Sequence, residues 1–104
     1  MTKTSKIERV AATVLAVAAG LGTAVDVYHA ATFNWHGPPD VAIVLLLLCT
    51  AALHFGLTGA NGGLAAVLGR RSVSAPARVL VWAWLVLSGV AVLLLSWFGA
   101  MLTT

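Results

Sequence analysis

Apolar residues run through this chain in three long stretches, and polar residues crowd into the short gaps between them. The first stretch is Val10 to Phe33, the second Val41 to about Leu57 and the third Val79 to Leu102. A helix needs about 20 residues, at 1.5 Å each, to cross a hydrocarbon core of about 30 Å. The first and third stretches meet that length, and the second falls at its lower limit. Gly56 to Gly69 carries no charge and contains Leu64-Ala-Ala-Val-Leu68, so a short helical piece can follow. Between them lies Asn61-Gly62-Gly63, where each glycine weakens a helix by about 1 kcal/mol. The pattern predicts helices over 10–33, 41–57 and 79–102, an irregular turn near Asn61-Gly63, and loops over 34–40 and 58–78. One continuous, kinked second helix is the alternative. In the first gap Asp40 is placed to cap the second helix; in the second gap Ser74 can cap and Pro76 falls in a first turn, where its missing N–H does no harm.

Composition changes the environment of these helices. The chain is 61% hydrophobic and 9% charged, where an ordinary soluble domain carries roughly a quarter charged residues. Between Val10 and Gly69 the only charged residues are Asp26 and Asp40, and none follows Arg78. That is too little polar surface for a water-soluble fold. The fold class expected is an all-α integral membrane protein with three transmembrane helices in one membrane domain, residues 1–104. At this length there is no room for a separate catalytic module. The lone Cys49 excludes an intramolecular disulfide and a multi-cysteine metal site.

Charge then sets the orientation. Lys3, Lys6 and Arg9 precede the first span, Arg70, Arg71 and Arg78 lie between the second and third, and 34–40 holds no Lys or Arg. The positive-inside rule puts the N-terminus in the cytoplasm and the C-terminus outside. Trp82 and Trp84 near the inner end of the third span, Trp97 and Phe98 near its outer end, and Phe33 and Trp35 at the outer end of the first suit interfacial belts. The net charge of +3 sits in juxtamembrane clusters that suit anionic head groups, so nucleic acid is not an expected partner. The N-terminus also reads as a secretory signal, with a basic start, an apolar run to Leu21 and small residues at Gly22-Thr23-Ala24. Apolar character continuing to Phe33 favours an uncleaved span. Cleavage would leave a two-span product with the general layout of conjugative pilin subunits, although no motif of that family is matched.

Two sets of residues carry candidate functions. Ala12, Ala16, Gly20 and Ala24 recur every four positions; Ala52, Gly56 and Ala60 repeat the device, and Gly59 with Gly63 forms a GxxxG. Such small-residue stripes let helix backbones approach closely in lipid. The second set is polar. An aspartate near a helix centre costs about 3 kcal/mol to insert, which makes Asp26 the most informative single residue. His29 follows three positions later on the same face. The pair, extended by His36, reads as a proton or ion site, or else as a polar patch bonded to a neighbouring helix or to head groups. Measured from span midpoints near Leu21 and Cys49, His54 is expected about 15 Å from Asp26 in depth, too far for a direct bond. The same offset argues against His29 and His54 sharing one haem iron. His54 is then expected to bond another helix, and Cys49 to serve as a small packing residue.

No phosphate loop, HExxH, paired carboxylates or nucleophile–base set occurs, so neither enzymatic activity nor a cofactor is expected. These features favour a small, non-enzymatic multi-pass protein of the bacterial inner (plasma) membrane. It would act through helix association as an assembly or accessory subunit, with lipids and other membrane subunits or itself as partners. A holin-like permeabilising oligomer, the signal-cleaved pilin-like subunit, and a small proton or ion pathway through Asp26 and His29 are the alternatives.

Overall fold

The computed structural model describes residues 3–34, 37 and 39–103, with the side chains of all but residues 3–5 and 39. Three helices account for nearly all of them: α1 (Lys3–Ala31), α2 (Pro39–Leu68) and α3 (Ala75–Leu102). All three are long and apolar enough to cross a membrane. The bundle, in which each helix touches both others, is 55 Å long and 18 × 15 Å across. Trp35 and His36 lie outside the described residues, as does Pro38. Lys3 lies in α1, but its side chain is among those not described.

The second helix corrects the expected break. It runs unbroken from Pro39 to Leu68, through Asn61, Gly62 and Gly63, and the α2–α3 connection shrinks to residues 69–74. In apolar surroundings an unpaired backbone group costs several kcal/mol, more than the roughly 1 kcal/mol that each glycine takes from helix stability. Asn61 turns its amide back onto the Leu57 carbonyl at 3.0 Å and does not interrupt the helix. Thr13, Thr23, Thr50 and Thr58 likewise satisfy their hydroxyls on the carbonyl four residues earlier.

The helix starts also differ in detail from expectation. Asp40 lies in the first turn of α2 and not at its cap, and its N–H donates to the Gly37 carbonyl. Ser74 occupies the N-cap of α3 without a side-chain capping bond, and proline stands in the first turn as expected.

Burial follows a seven-residue repeat on every helix. Ala12, Ala19 and Asp26 are buried on α1; Leu47, His54, Asn61 and Leu68 on α2; Leu85, Val92 and Gly99 on α3. A repeat of seven keeps one seam facing its neighbours along the whole length of nearly parallel or antiparallel helices. The four-residue stripe does not. Four residues turn a helix by about 40° more than a full circle, so the row rotates off any fixed contact. Ala12 is accordingly buried, Ala16 and Gly20 are half-buried, and Ala24 is exposed. Large apolar side chains such as Val14, Leu21, Leu53, Leu80 and Leu93 point outward. An aliphatic surface over a seam that mixes small and apolar residues with polar ones is compatible with a lipid environment.

α1 and α2 pack most closely, and α3 lies against them more loosely. Among the described residues, a polar tie joins each pair of helices. Asp26 meets His54 between α1 and α2. Trp84 donates to Asn61 between α3 and α2 at 3.1 Å. Arg78 donates to Glu8 between α3 and α1 at 3.1 Å.

Candidate functional site

The Asp26–His54 contact overturns the expectation that these two residues cannot bond. His54 Nδ1 stands 2.7 Å from Asp26 Oδ2, with the His54 side chain fully buried and that of Asp26 5% exposed. The error lay in the register. Gly22 faces His54 and Gly20 faces Thr58, where span midpoints would set Leu21 against Cys49. Relative to that expectation α2 has moved about six to eight residues, roughly 10 Å, along α1. Three features allow the shift: α1 ends at Ala31, α2 begins at Pro39, and α2 continues to Leu68.

A carboxylate only accepts, so Nδ1 carries the hydrogen of this bond. Two glycines make the geometry possible. A Cβ on Gly22 would lie 2.7 Å from His54 Nε2, 2.8 Å from Cδ2 and 2.9 Å from Cε1, so the imidazole rests flat on bare α1 backbone. A Cβ on Gly99 of α3 would lie 3.0 Å from Asp26 Oδ1. Asp26 therefore meets α2 with one oxygen and α3 with the other. His54 Nε2 is buried and has no hydrogen-bond partner.

A cavity of about 350 Å³ opens beside the pair, with Asp26, His54, His29, Ser96, Gly99 and Thr103 in its wall. His29 thus does not pair with Asp26, as its spacing suggested. It lines the same cavity, and its ring lies 5.7 Å from that of Tyr28. The expected separation of His29 from His54 in depth is corrected as well, because both border one space.

The other ties involve residues whose roles the sequence concealed. Glu8 is fully buried, with Oε1 on Arg78 and Oε2 unpartnered. Arg78, expected as a charge anchor, is bonded to Glu8. Asn61 is likewise fully buried. Trp84, grouped by sequence with interfacial aromatics, turns its indole N–H inward to Asn61. Glu8 and Arg78 stand just before the first and third apolar stretches and Asn61 just beyond the second, so only their register across the bundle reveals the pairing. Among the anchors, Lys6, Arg70 and Arg71 are exposed and Arg9 is half-buried.

The small residues of α2 face away from the core. Ala52 and Ala60 are exposed, and nothing lies within 4 Å of a Cβ placed on Gly56, Gly59 or Gly63. With Trp84, Ala91, Leu94 and Leu95 of the neighbouring helix, Ala52, Gly56 and Ala60 line an apolar groove of about 510 Å³. Cys49 is exposed and is not the packing residue expected. The chain matches no family model, no curated protein and no solved structure.

Proposed function

We propose that this chain is a small multi-pass protein of the bacterial inner membrane that works through helix association, as an assembly or accessory subunit, without catalysing a reaction. The observation that carries this reading is the uncovered α2–α3 groove. Ala52, Gly56 and Ala60 leave a strip of low relief with room for the backbone of another helix, and the protomer does not use it. Dispersion at close backbone approach is the main attraction available between helices in lipid, so a small-residue strip is worth most where another helix covers it. The proposed orientation, with the N-terminus cytoplasmic and the C-terminus outside, is supported by the Glu8–Arg78 bond. That bond brings the start of α1 and the start of α3 to one end of the bundle, the end bearing Lys6, Arg9, Arg70 and Arg71.

The test is site-specific photo-crosslinking in cell membranes. A photoreactive residue at Gly56 should yield a discrete protein adduct, either a dimer of this chain or one heterologous band. Gly59→Leu, which raises the strip's relief beside that position, should reduce the adduct at least fivefold without loss of helicity. The same probe at Leu80, on the outward face of α3, should react with lipid alone. Lipid adducts alone at position 56 would defeat the proposal.

A further inference from the structure

We propose that Asp26 and His54 form a reversible proton-binding site, loaded from the end of the bundle that carries the α1–α2 loop. Of the three polar ties this one is built to change protonation. An indole N–H only donates, an amide does not titrate near neutrality, and the Glu8 carboxylate faces the guanidinium of Arg78, which stays charged, away from the cavities that reach Asp26. Imidazole and carboxylate exchange protons readily, and a histidine is the side chain most suited to do so in the physiological range.

The surroundings give the proton a place and a route. The buried Nε2 of His54 lacks a partner, and the bare face of Gly22 leaves the ring room that any side chain would fill. Asp26 Oδ2 is committed to His54, whereas Oδ1 lies toward Gly99, one of the cavity's wall residues. A water needs about one probe sphere of space and two to four polar partners, and the cavity of about 350 Å³ has both. A second cavity of about 330 Å³, lined by Thr32, Phe33 and Asn34, shares His29 and Thr103 with the first and continues to the loop end. The polar path therefore runs from Asn34 past His29 and Thr103 to Asp26.

Toward the other end the seam is lined by buried Ala12, Ala19, Leu68, Leu85 and Val92 and by the separate polar residues Ser88, Asn61 and Glu8. The cavities that reach the pair lead toward the loop end, so the site is assigned proton binding and not conduction across the bundle. The groups facing the pair are few. α1 contributes His29, α2 contributes His54 itself, and the α3 residues in the wall, Ser96 and Thr103 among them, do not titrate. The exchanged proton passes between cavity water and Asp26 Oδ1, while the Nδ1 hydrogen remains between the partners. A change in charge at the pair acts on the tie between α1 and α2.

Infrared difference spectroscopy tests the site on the whole protein in vesicles of phosphatidylethanolamine and phosphatidylglycerol. Stepping the pH between 9 and 4 should bring up a protonated-carboxyl C=O band, together with a change in imidazole ring modes. Asp26→Asn, which preserves an oxygen acceptor for His54, should remove that band. Glu8→Gln and Asp40→Asn should leave it in place. Ser96→Leu narrows the cavity without touching the pair and should slow the appearance of the band after a pH jump at least tenfold while keeping its final size. The proposal fails if the wild type shows no such band across this range, or if the band survives in Asp26→Asn. Unchanged kinetics in Ser96→Leu would overturn the access route, and a reading from wild type and Ser96→Leu stands even where Asp26→Asn does not fold.

Discussion

At Gly22 a single hydrogen decides whether the buried imidazole fits. A methyl group there would sit 2.7 Å from His54 Nε2, so the ring must shift and disturb its 2.7 Å bond to Asp26. Gly56, by contrast, has nothing within 4 Å of its would-be Cβ. The two substitutions to alanine should therefore act in opposite directions. Gly22→Ala should destabilise the bundle by about 1–3 kcal/mol, the usual cost of overpacking. Gly56→Ala should stabilise the helix by up to about 1 kcal/mol, because alanine has the better helix propensity. Denaturant unfolding in micelles, followed by circular dichroism, reads both. Equal effects would mean that glycine content, and not the seat of His54, governs these positions. Nothing in the sequence marked Gly22 as different from its neighbours, since its role depends on which residue of α2 lies across from it.

At the scale of the helix, the elements were legible and their faces were not. Three apolar stretches announced three helices because a membrane-length run of aliphatic residues has few other folds available. Facing is normally read from the apolar side of a helix, but α2 and α3 are apolar all round, so that signal vanishes. The polar residues hold it instead: Glu8, Asp26, His54, Asn61 and Ser88 all point inward. Reading Leu47, His54, Asn61 and Leu68 as one seven-residue row would have found the seam of α2 from sequence. The axial offset of the helices was not readable, because the residues between Ala31 and Pro39 do not fix how far α2 slides along α1. That offset is what brought Asp26 to His54. The seam also makes Glu8 and Arg78 interdependent. Arg78→Gln should cost about 2–3 kcal/mol, since it leaves a buried carboxylate without its charged donor. Adding Glu8→Gln should recover much of that loss. Additive losses in the double variant would show that the two residues do not couple.

For the molecule as a whole, the loop charge is the proposed lever on orientation, and the structure changes how it must be tested. Arg70, Arg71 and Arg78 together follow α2, and each contributes on the order of 1 kcal/mol near an anionic surface. A short, broken second span would have needed those charges to insert at all. The observed α2 has 30 residues, of which the 29 from Asp40 to Leu68 are suited to spanning, so length is not what the arginines supply. Arg78 moreover bonds Glu8, and replacing it would loosen the bundle while altering the charge. The informative variant is Arg70→Asn with Arg71→Asn, both exposed. A C-terminal alkaline phosphatase fusion, active only outside the cytoplasm, should then lose a measurable part of its activity as some chains insert with α3 reversed. Ser72→Arg with Ser74→Arg in the same loop should restore it, because the rule counts positive residues near the span ends and not their positions. Full activity in the arginine-poor variant would assign the orientation of α3 to its own apolar length, with Lys6 and Arg9 sufficient to hold the first helix.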